Sequence, residues 1–397
     1  MTEEGILVLN AGSSSVKFTV FALAGRSLAP KLHGQVEGIG TGITPRLIAR
    51  NRSGEPVANE PWPSGTHQDI LQRLIDWIHA TEGNQLQLRA AGHRVVHGGM
   101  LHDAPVRVTP AILEQLRVFV PLAPLHQPHN LAPIETLAKL YPALPQIACF
   151  DTAFHRHKRP EASLVGLPRR YLDAGIKRYG FHGLSYEYIA GRLAELDPTR
   201  AKGRVIAAHL GSGASMCAMK DGVAIDSSMG FTAVDGLMMG TRPGSLDPGI
   251  ILHLLQQEKL DVPALEKLLY RESGLLGVSG GLSNDMRILL DSDSPAAQEA
   301  IDLFVYRAAK EIGALAITIG GLDVLVFTAG IGERSAEIRK RICALVSWMG
   351  IKLDPAANTT HALRISTDDS PIAVWAIPTD EELMIARHTA RLIEHAP

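Results

Sequence analysis

Three glycine-rich segments each follow an apolar run: 10–15 (Asn-Ala-Gly-Ser-Ser-Ser) after Ile6–Leu9, 211–215 (Gly-Ser-Gly-Ala-Ser) after Val205–Leu210, and 328–332 (Thr-Ala-Gly-Ile-Gly) after Val324–Phe327. Glycine has no side chain to hold a ligand away, so backbone N–H groups in such turns can approach phosphate oxygens. Three of them in one chain, two flanked by matching apolar runs, favour nucleotide phosphate binding. Charged residues stand in equally unusual settings. Arg94 lies in His-Arg-Val-Val-His-Gly-Gly, and Arg242 lies between breakers in Met-Gly-Thr-Arg-Pro-Gly. Asp151 ends the apolar run Ile-Ala-Cys-Phe, His155 follows it closely, and His182 sits in Tyr-Gly-Phe-His-Gly. Phosphoryl transfer needs cations near the moving group, a magnesium ligand and groups that orient the nucleophile. These residue types supply all three, but on their own they do not name the reaction.

Other chemistries fail on detail. The chain has no GxxxxGK[ST], and residues 330–335 (Gly-Ile-Gly-Glu-Arg-Ser) put serine where a dinucleotide fingerprint has its third glycine. GxSxG and HExxH are also missing. His93 and His97 are four residues apart, but Val95-Val96 and Gly98-Gly99 favour strand or loop there over a helical metal pair. With 39 Lys plus Arg against 41 Asp plus Glu, the net charge is −2, without the basic excess of a nucleic-acid or anionic-membrane binder. Cys149, Cys217 and Cys343 are widely spaced, which fits a reducing compartment better than a disulfide or zinc framework. The acidic start is unlike a signal peptide, and no apolar run approaches the ~20 residues of a membrane helix, so a cytoplasmic protein is expected.

The elements that must carry these residues can be read from periodicity. Ile6–Leu9 and Val16–Phe21 form a strand pair around the first turn; Val205–Leu210 and Met216–Met219 form another, with Val223–Ile225 a further strand. Gly12 and Gly211 stand about half of the 397 residues apart, which suggests two related domains, each opening strand, turn, strand. Gln68–His79 carries Ile70, Leu71, Leu74, Ile75 and Ile78 at helical spacing, and Glu299–Ile319 is a longer helix. Residues 121–130 hold three prolines and are expected to form a rigid loop bearing His126 and His129. The third glycine segment is expected to be a turn, followed by a helix from Ser335 to about Val346.

Ten segments together resemble the acetate kinase family, a branch of the acetate and sugar kinase, Hsp70 and actin superfamily. They are VLNAGSSSVKF (8–18), HRVVHGG, PLHQPHN, FDTAFH, RYGFHGLSY, HLGSGAS, GTRPGSLDPG, SNDMR, FTAGIGERS and PTDEELMIARHT (378–389), in family order over nearly the whole chain. The resemblance implies an α/β protein of two actin-like (ribonuclease H-like) βββαβαβα domains with an interdomain nucleotide cleft. The domains would span 1–150 and 151–383, and the C-terminal helix (about 384–397) would cross back to the first. It also implies a homodimer acting on acetate and ATP, with Mg²⁺ or alternatively Mn²⁺ as the bound metal.

Carried over position by position, the resemblance makes Asn10 and Glu381 the magnesium ligands. Lys17 and His209, Leu210, Gly211, Ser212 and Gly213 match the phosphate-binding turns. Asp285, Met286 and Arg287 match the adenosine contacts, and Gly330, Ile331, Gly332, Glu333 and Arg334 the third nucleotide loop. Arg94 and Arg242 would hold the acetate carboxylate and the γ-phosphoryl group, His182 would donate to that group, and Asp151 would help position the carboxylate. Val96, Leu125, Phe181 and Ala233 would line the acyl pocket. Departures from the family pattern are Ala233 for proline, Ser212 and Arg334 for asparagine, Pro243 and Ser245-Leu246 in the Arg242 segment, and Asp380 for asparagine. The smaller Ala233 leaves propionate as a second substrate, and a propionate or other short-chain carboxylate kinase is the nearest alternative. An ATP-driven switch of the actin or Hsp70 kind is the alternative of another class.

Overall fold

The computed structural model describes residues 3–12, 14–25, 27–83, 86–124 and 126–394. The chain divides into two compact units, Met1–Phe154 with Asp380–Pro397, and His155–Thr379. The first unit therefore runs a few residues past the expected boundary at 150 and keeps Asp151. The backbone explains why: Asp151 N–H donates to Val95 O at 3.1 Å, continuing a strand pairing of the first unit.

In the first unit, β1 (Glu3–Ala11), β2 (Ser15–Ala24), β3 (Ser27–Glu37), β4 (Arg46–Asn51) and β5 (Pro56–Pro61) form an antiparallel run. β6 (Leu86–Val95) and β8 (Gln146–Phe150) add in parallel on the other side of β1, and β7 (Val106–Arg107) closes the edge, giving the order 5-4-3-2-1-6-8-7. Ile6, Leu7, Val8 and Leu9 are all buried, as a central strand covered on both faces requires. One face packs on the helix His67–Glu82 through Ile70, Leu71, Leu74, Ile75 and Ile78, the residues its periodicity predicted. That helix begins in a capping box, with Thr66 and Asp69 satisfying each other's backbone N–H groups.

The final helix, Glu381–Glu394, packs on β1, β6 and β8. Gly92 permits this approach, because a Cβ there would collide with Thr389 and Ile385.

The second unit repeats the plan with β9 (Arg204–Leu210), β10 (Ala214–Lys220), β11 (Val223–Ser227), β12 (Val324–Thr328) and β13 (Ala373–Ala376), in the order 11-10-9-12-13. β9 pairs antiparallel with β10 and parallel with β12, as β1 does with β2 and β6. The half-chain recurrence is thus one topology used twice. The helix Pro295–Ile319 packs on β9, β10 and β11 through residues that include Phe304 and Ile312.

Two local expectations are corrected. The loop expected over 121–130 ends early, and His129 lies in the helix Gln127–Leu140. Pro128 sits in the first turn, where a missing N–H costs nothing, and Pro133 is accommodated one turn further in. The third glycine segment is not an open turn but a short helix, Ala329–Arg334. Glu333 explains it, since its Oε1 accepts the Ala329 N–H at 2.8 Å and stabilises the helix start.

Candidate active site

The first unit gathers its charged residues at the carboxyl ends of three adjacent strands, the usual ligand edge of an open α/β sheet. Asn10 lies near the end of β1, Arg94 near the end of β6, and Asp151 directly after β8. Arg94 grips Asp151 with two bonds, Nε to Oδ1 at 3.0 Å and Nη2 to Oδ2 at 2.6 Å, and its Nη1 lies 3.4 Å from Asn10 Oδ1. The fork geometry suits arginine and excludes lysine. The Asp151 side chain is 2% exposed and that of Arg94 21%, so the guanidinium keeps one face open while its partner is enclosed. Burial works against the Arg94 charge, but the Asp151 and Glu381 carboxylates more than offset it and push its pKa above the ordinary arginine value.

Glu381 opens the final helix. Burial pushes its carboxyl up to about 7; Arg94 pulls against this, Asp151 and Glu382 add to it, and Lys17 pulls weakly back. A carboxyl held from ionising beside two further carboxylates, with the Asn10 amide oxygen on the same strand ends, is a hard-oxygen set short of positive charge. A divalent cation that keeps several waters fits that need. Lys17 lies directly opposite Asn10 in the strand pairing and is exposed. Lys17 thus stands among the first unit's carboxylates.

In the second unit, the turn between β9 and β10 is met by two side chains. A Cβ on Gly213 would lie 2.9 Å from Arg242 Nη2 and 3.3 Å from His182 Nε2, so both groups converge on bare backbone. Arg242 is anchored through Nη1 to Ala233 O at 2.6 Å. His182 holds a left-handed conformation (φ 56°) at the start of the helix Gly183–Leu196. Its ring stacks on His209 with centroids 4.2 Å apart and planes 15° from parallel. His182 Nδ1 lies 2.8 Å from Ser215 Oγ, and Tyr186 OH bonds the same hydroxyl, which turns His182 Nε2 toward the turn. His209 Nδ1 is likewise held by Ser185 Oγ at 2.9 Å. Ser215, Tyr186 and Ser185 had no role assigned from sequence, although all three lie in the motif segments HLGSGAS and RYGFHGLSY.

Replacing Gly213 by alanine should therefore displace Arg242 and His182 without disturbing the sheet. The expected loss is on the order of 10²-fold in turnover, the scale of a ~1 Å misplacement of a reacting group. Melting should be unchanged, and steady-state rates with a thermal scan check both.

Beside the turn lies a cavity of about 640 Å³, lined by Gly211, Ser212, Asp285, Met286, Arg287, Gly330, Ile331 and Arg334, with Asn284, Leu290, Asp291 and Ser335. Eight residues expected to contact the nucleotide thus share one wall. Asp285 caps the helix Met286–Leu290 and pairs with exposed Arg287 at 2.5 Å. Leu210, Gly332 and Glu333 do not line it. Leu210 is fully buried in β9, Gly332 packs on Phe327, and Glu333 Oε1 accepts from Ala329 and Thr379 N–H. Of the acyl-pocket residues, Val96 is buried in the first unit with its N–H on Asn130 Oδ1 at 2.9 Å. Phe181 is buried in the second unit, Ala233 is half-buried there, and Leu125 lies outside the described residues.

Comparison with known proteins agrees in direction. The profile of the Acetokinase family matches residues 5–387. A curated acetate kinase of Rhodopseudomonas palustris is 56% identical over 395 residues, with 98% of each chain covered. Among solved structures, the acetate kinase of Porphyromonas gingivalis is 36% identical with a TM-score of 0.89, covering 98% of this chain and 100% of that one. A propionate kinase from Francisella tularensis is 35% identical with a TM-score of 0.91 at the same coverage.

Proposed function

From the premise that the chain belongs to the acetokinase family and is an acetate kinase in activity, transferring the γ-phosphoryl group of ATP to acetate reversibly, we propose how its residues perform the reaction. Two observations carry the proposal: Arg94, Asp151 and Asn10 gather at the strand ends of the first unit, and Arg242 and His182 converge on Gly213 in the second.

Acetate is already ionised at pH 7, so the nucleophile needs no general base. The barrier is repulsion between a carboxylate and a polyphosphate. Arg94 and Arg242 answer it, holding the acetate carboxylate and the γ-phosphoryl group with planar, permanently charged forks. Asp151 fixes the Arg94 fork and stays a positioning and electrostatic group. His182 donates from Nε2 to the transferring group, its ring held by Ser215 and by the His209 stack. The nucleotide lies in the cavity walled by Asp285, Met286 and Arg287 and by Gly330, Ile331 and Arg334. Asn10 and Glu381 would hold Mg²⁺, or Mn²⁺ in its place, which would supply positive charge to the phosphate oxygens.

We read it as a cytoplasmic enzyme of small-molecule substrates from the family resemblance; no helix among the described residues is long and apolar enough to cross a membrane. We read it as a homodimer from the family resemblance, and light scattering at micromolar concentration tests that.

A second reading, that propionate is also used, rests on Ala233 and on the likeness to a propionate kinase. The Ala233 carbonyl anchors Arg242, and proline keeps that carbonyl, so Ala233→Pro changes volume and leaves the anchor. Hydroxylamine trapping of the acyl phosphate with acetate or propionate tests both readings. Product from acetate is expected, and Ala233→Pro should lower the propionate-to-acetate ratio about tenfold, within what one methylene discriminates. An unchanged ratio would remove Ala233 from the acyl pocket. No product from any short carboxylate would overturn the proposal.

A further inference from the structure

The largest fully buried side chain in the described chain is that of Arg339, and nothing in the reaction as described uses it. It lies in the helix Ala336–Leu345, and burial draws its pKa down from the usual arginine range. A guanidinium carries five N–H bonds, and here all five have acceptors. Nε donates to Asn358 Oδ1 at 2.8 Å. Nη1 donates to Gly332 O at 2.9 Å and Glu333 O at 2.7 Å. Nη2 donates to Asn358 O at 2.8 Å and His361 Nδ1 at 3.0 Å. Every acceptor is neutral; no carboxylate balances the charge. A hydrophobic residue would serve a purely packing role at lower desolvation cost, so what the arginine adds is the direction of its five bonds.

Two of those bonds end on the helix that supplies part of the wall of the large cavity. Gly332 and Glu333 belong to the short helix Ala329–Arg334, whose Gly330, Ile331 and Arg334 line the cavity. The helix is only six residues long, and Ala329 enters it in a left-handed conformation at φ 63°. Glu333 Oε1 ties its first N–H from one end. Arg339 ties two of its last carbonyls from the other and anchors them to Asn358 in the helix Pro355–Thr359. Asn358 is itself fixed by Nδ2 to Ala336 O at 2.9 Å. On the solvent side the network closes on exposed His361, held at φ 54°.

We propose that Arg339 is a positioning residue for the nucleotide: through Gly332, Glu333 and Asn358 it sets the cavity wall formed by Gly330, Ile331 and Arg334, and so governs affinity for ATP and not for acetate. The inference rests on the reading that this cavity receives the nucleotide. Lysine has three donors on a point charge and cannot hold five acceptors.

The test is Arg339→Lys and Arg339→Ala, with His361→Ala as a variant that removes one exposed acceptor and leaves the fold intact. KM for ATP, KM for acetate, kcat and melting temperature are measured for each. Arg339→Lys is expected to raise KM for ATP about tenfold or more with kcat and acetate KM little changed, the pattern of lost ground-state binding. His361→Ala should move the same constant by about twofold. Millimolar guanidinium should restore part of the ATP affinity of Arg339→Ala. Unchanged KM for ATP in Arg339→Lys and His361→Ala would overturn the inference. So would equal losses in all constants tracking melting temperature, without guanidinium rescue, because that is a merely structural role. Ile331→Trp, which fills the cavity, separates the underlying reading: if it leaves ATP affinity intact, the nucleotide lies elsewhere and that reading fails first.

Discussion

Arg242→Ala is expected to lower turnover by on the order of 10³-fold or more, the scale of removing one preorganised cation from a developing phosphoryl charge. The geometry makes the effect specific. Arg242 Nη1 is spent on Ala233 O, which leaves Nη2 aimed at Gly213, where the turn's backbone and His182 Nε2 also meet. The anchor is only half-buried, so water can satisfy the freed carbonyl, and melting should shift little. Arg242→Lys should recover little activity, since an ammonium cannot anchor on Ala233 and present a second planar donor together. If the role is transition-state stabilisation, kcat and kcat/KM fall together. A rise in KM alone would reassign Arg242 to ground-state binding.

Asp151→Ala carries the second large effect, and it strikes stability as well as rate. The pair with Arg94 is bidentate and its carboxylate is enclosed, so deletion strands a guanidinium that burial already disfavours. Breaking such a pair costs about 3–5 kcal/mol, and a fall in melting temperature should accompany a drop in turnover on the order of 10³-fold. Asp151→Asn separates the two. Its amide oxygen still accepts one Arg94 bond, so melting should fall much less while turnover stays low. Thermal scans and single-turnover rates on both variants check this. Full activity in Asp151→Asn would mean that the carboxylate charge has no part in the reaction.

Much of this was legible in the sequence, for identifiable reasons. β1 could be read because Ile6–Leu9 must be buried on both faces, and the helix His67–Glu82 because five aliphatic residues repeat along one face. The two-domain repeat was visible because strand, turn, strand recurs with the same spacing of residue types. Arg94, Asp151, His182 and Arg242 stood out through their neighbours, glycine, proline or the end of an apolar run. What stayed hidden depends on side-chain contacts that periodicity does not carry. The helix at 329–334 is hidden because glycines at 330 and 332 after an apolar run read as a turn, whereas the Glu333 side chain closes a helix onto its own start. The helix over 127–140 was hidden by Pro128, whose place in the first turn is harmless but whose presence in a proline-rich run argued for a loop. Ser215 and Tyr186 orient His182 across a sheet turn, and the partners of Arg339 at 358 and 361 are set only by packing.

The measurement that bears most directly on the central claim follows an oxygen atom. With ¹⁸O-labelled acetate and Mg-ATP, transfer to the carboxylate makes an acetate oxygen the bridge of the acyl phosphate, and hydroxylamine then attacks the carbonyl carbon and releases phosphate. Phosphorus NMR of that phosphate should show one ¹⁸O per molecule. Phosphate free of label, formed at the same rate without acetate, would mean that water is the nucleophile, and would contradict the account.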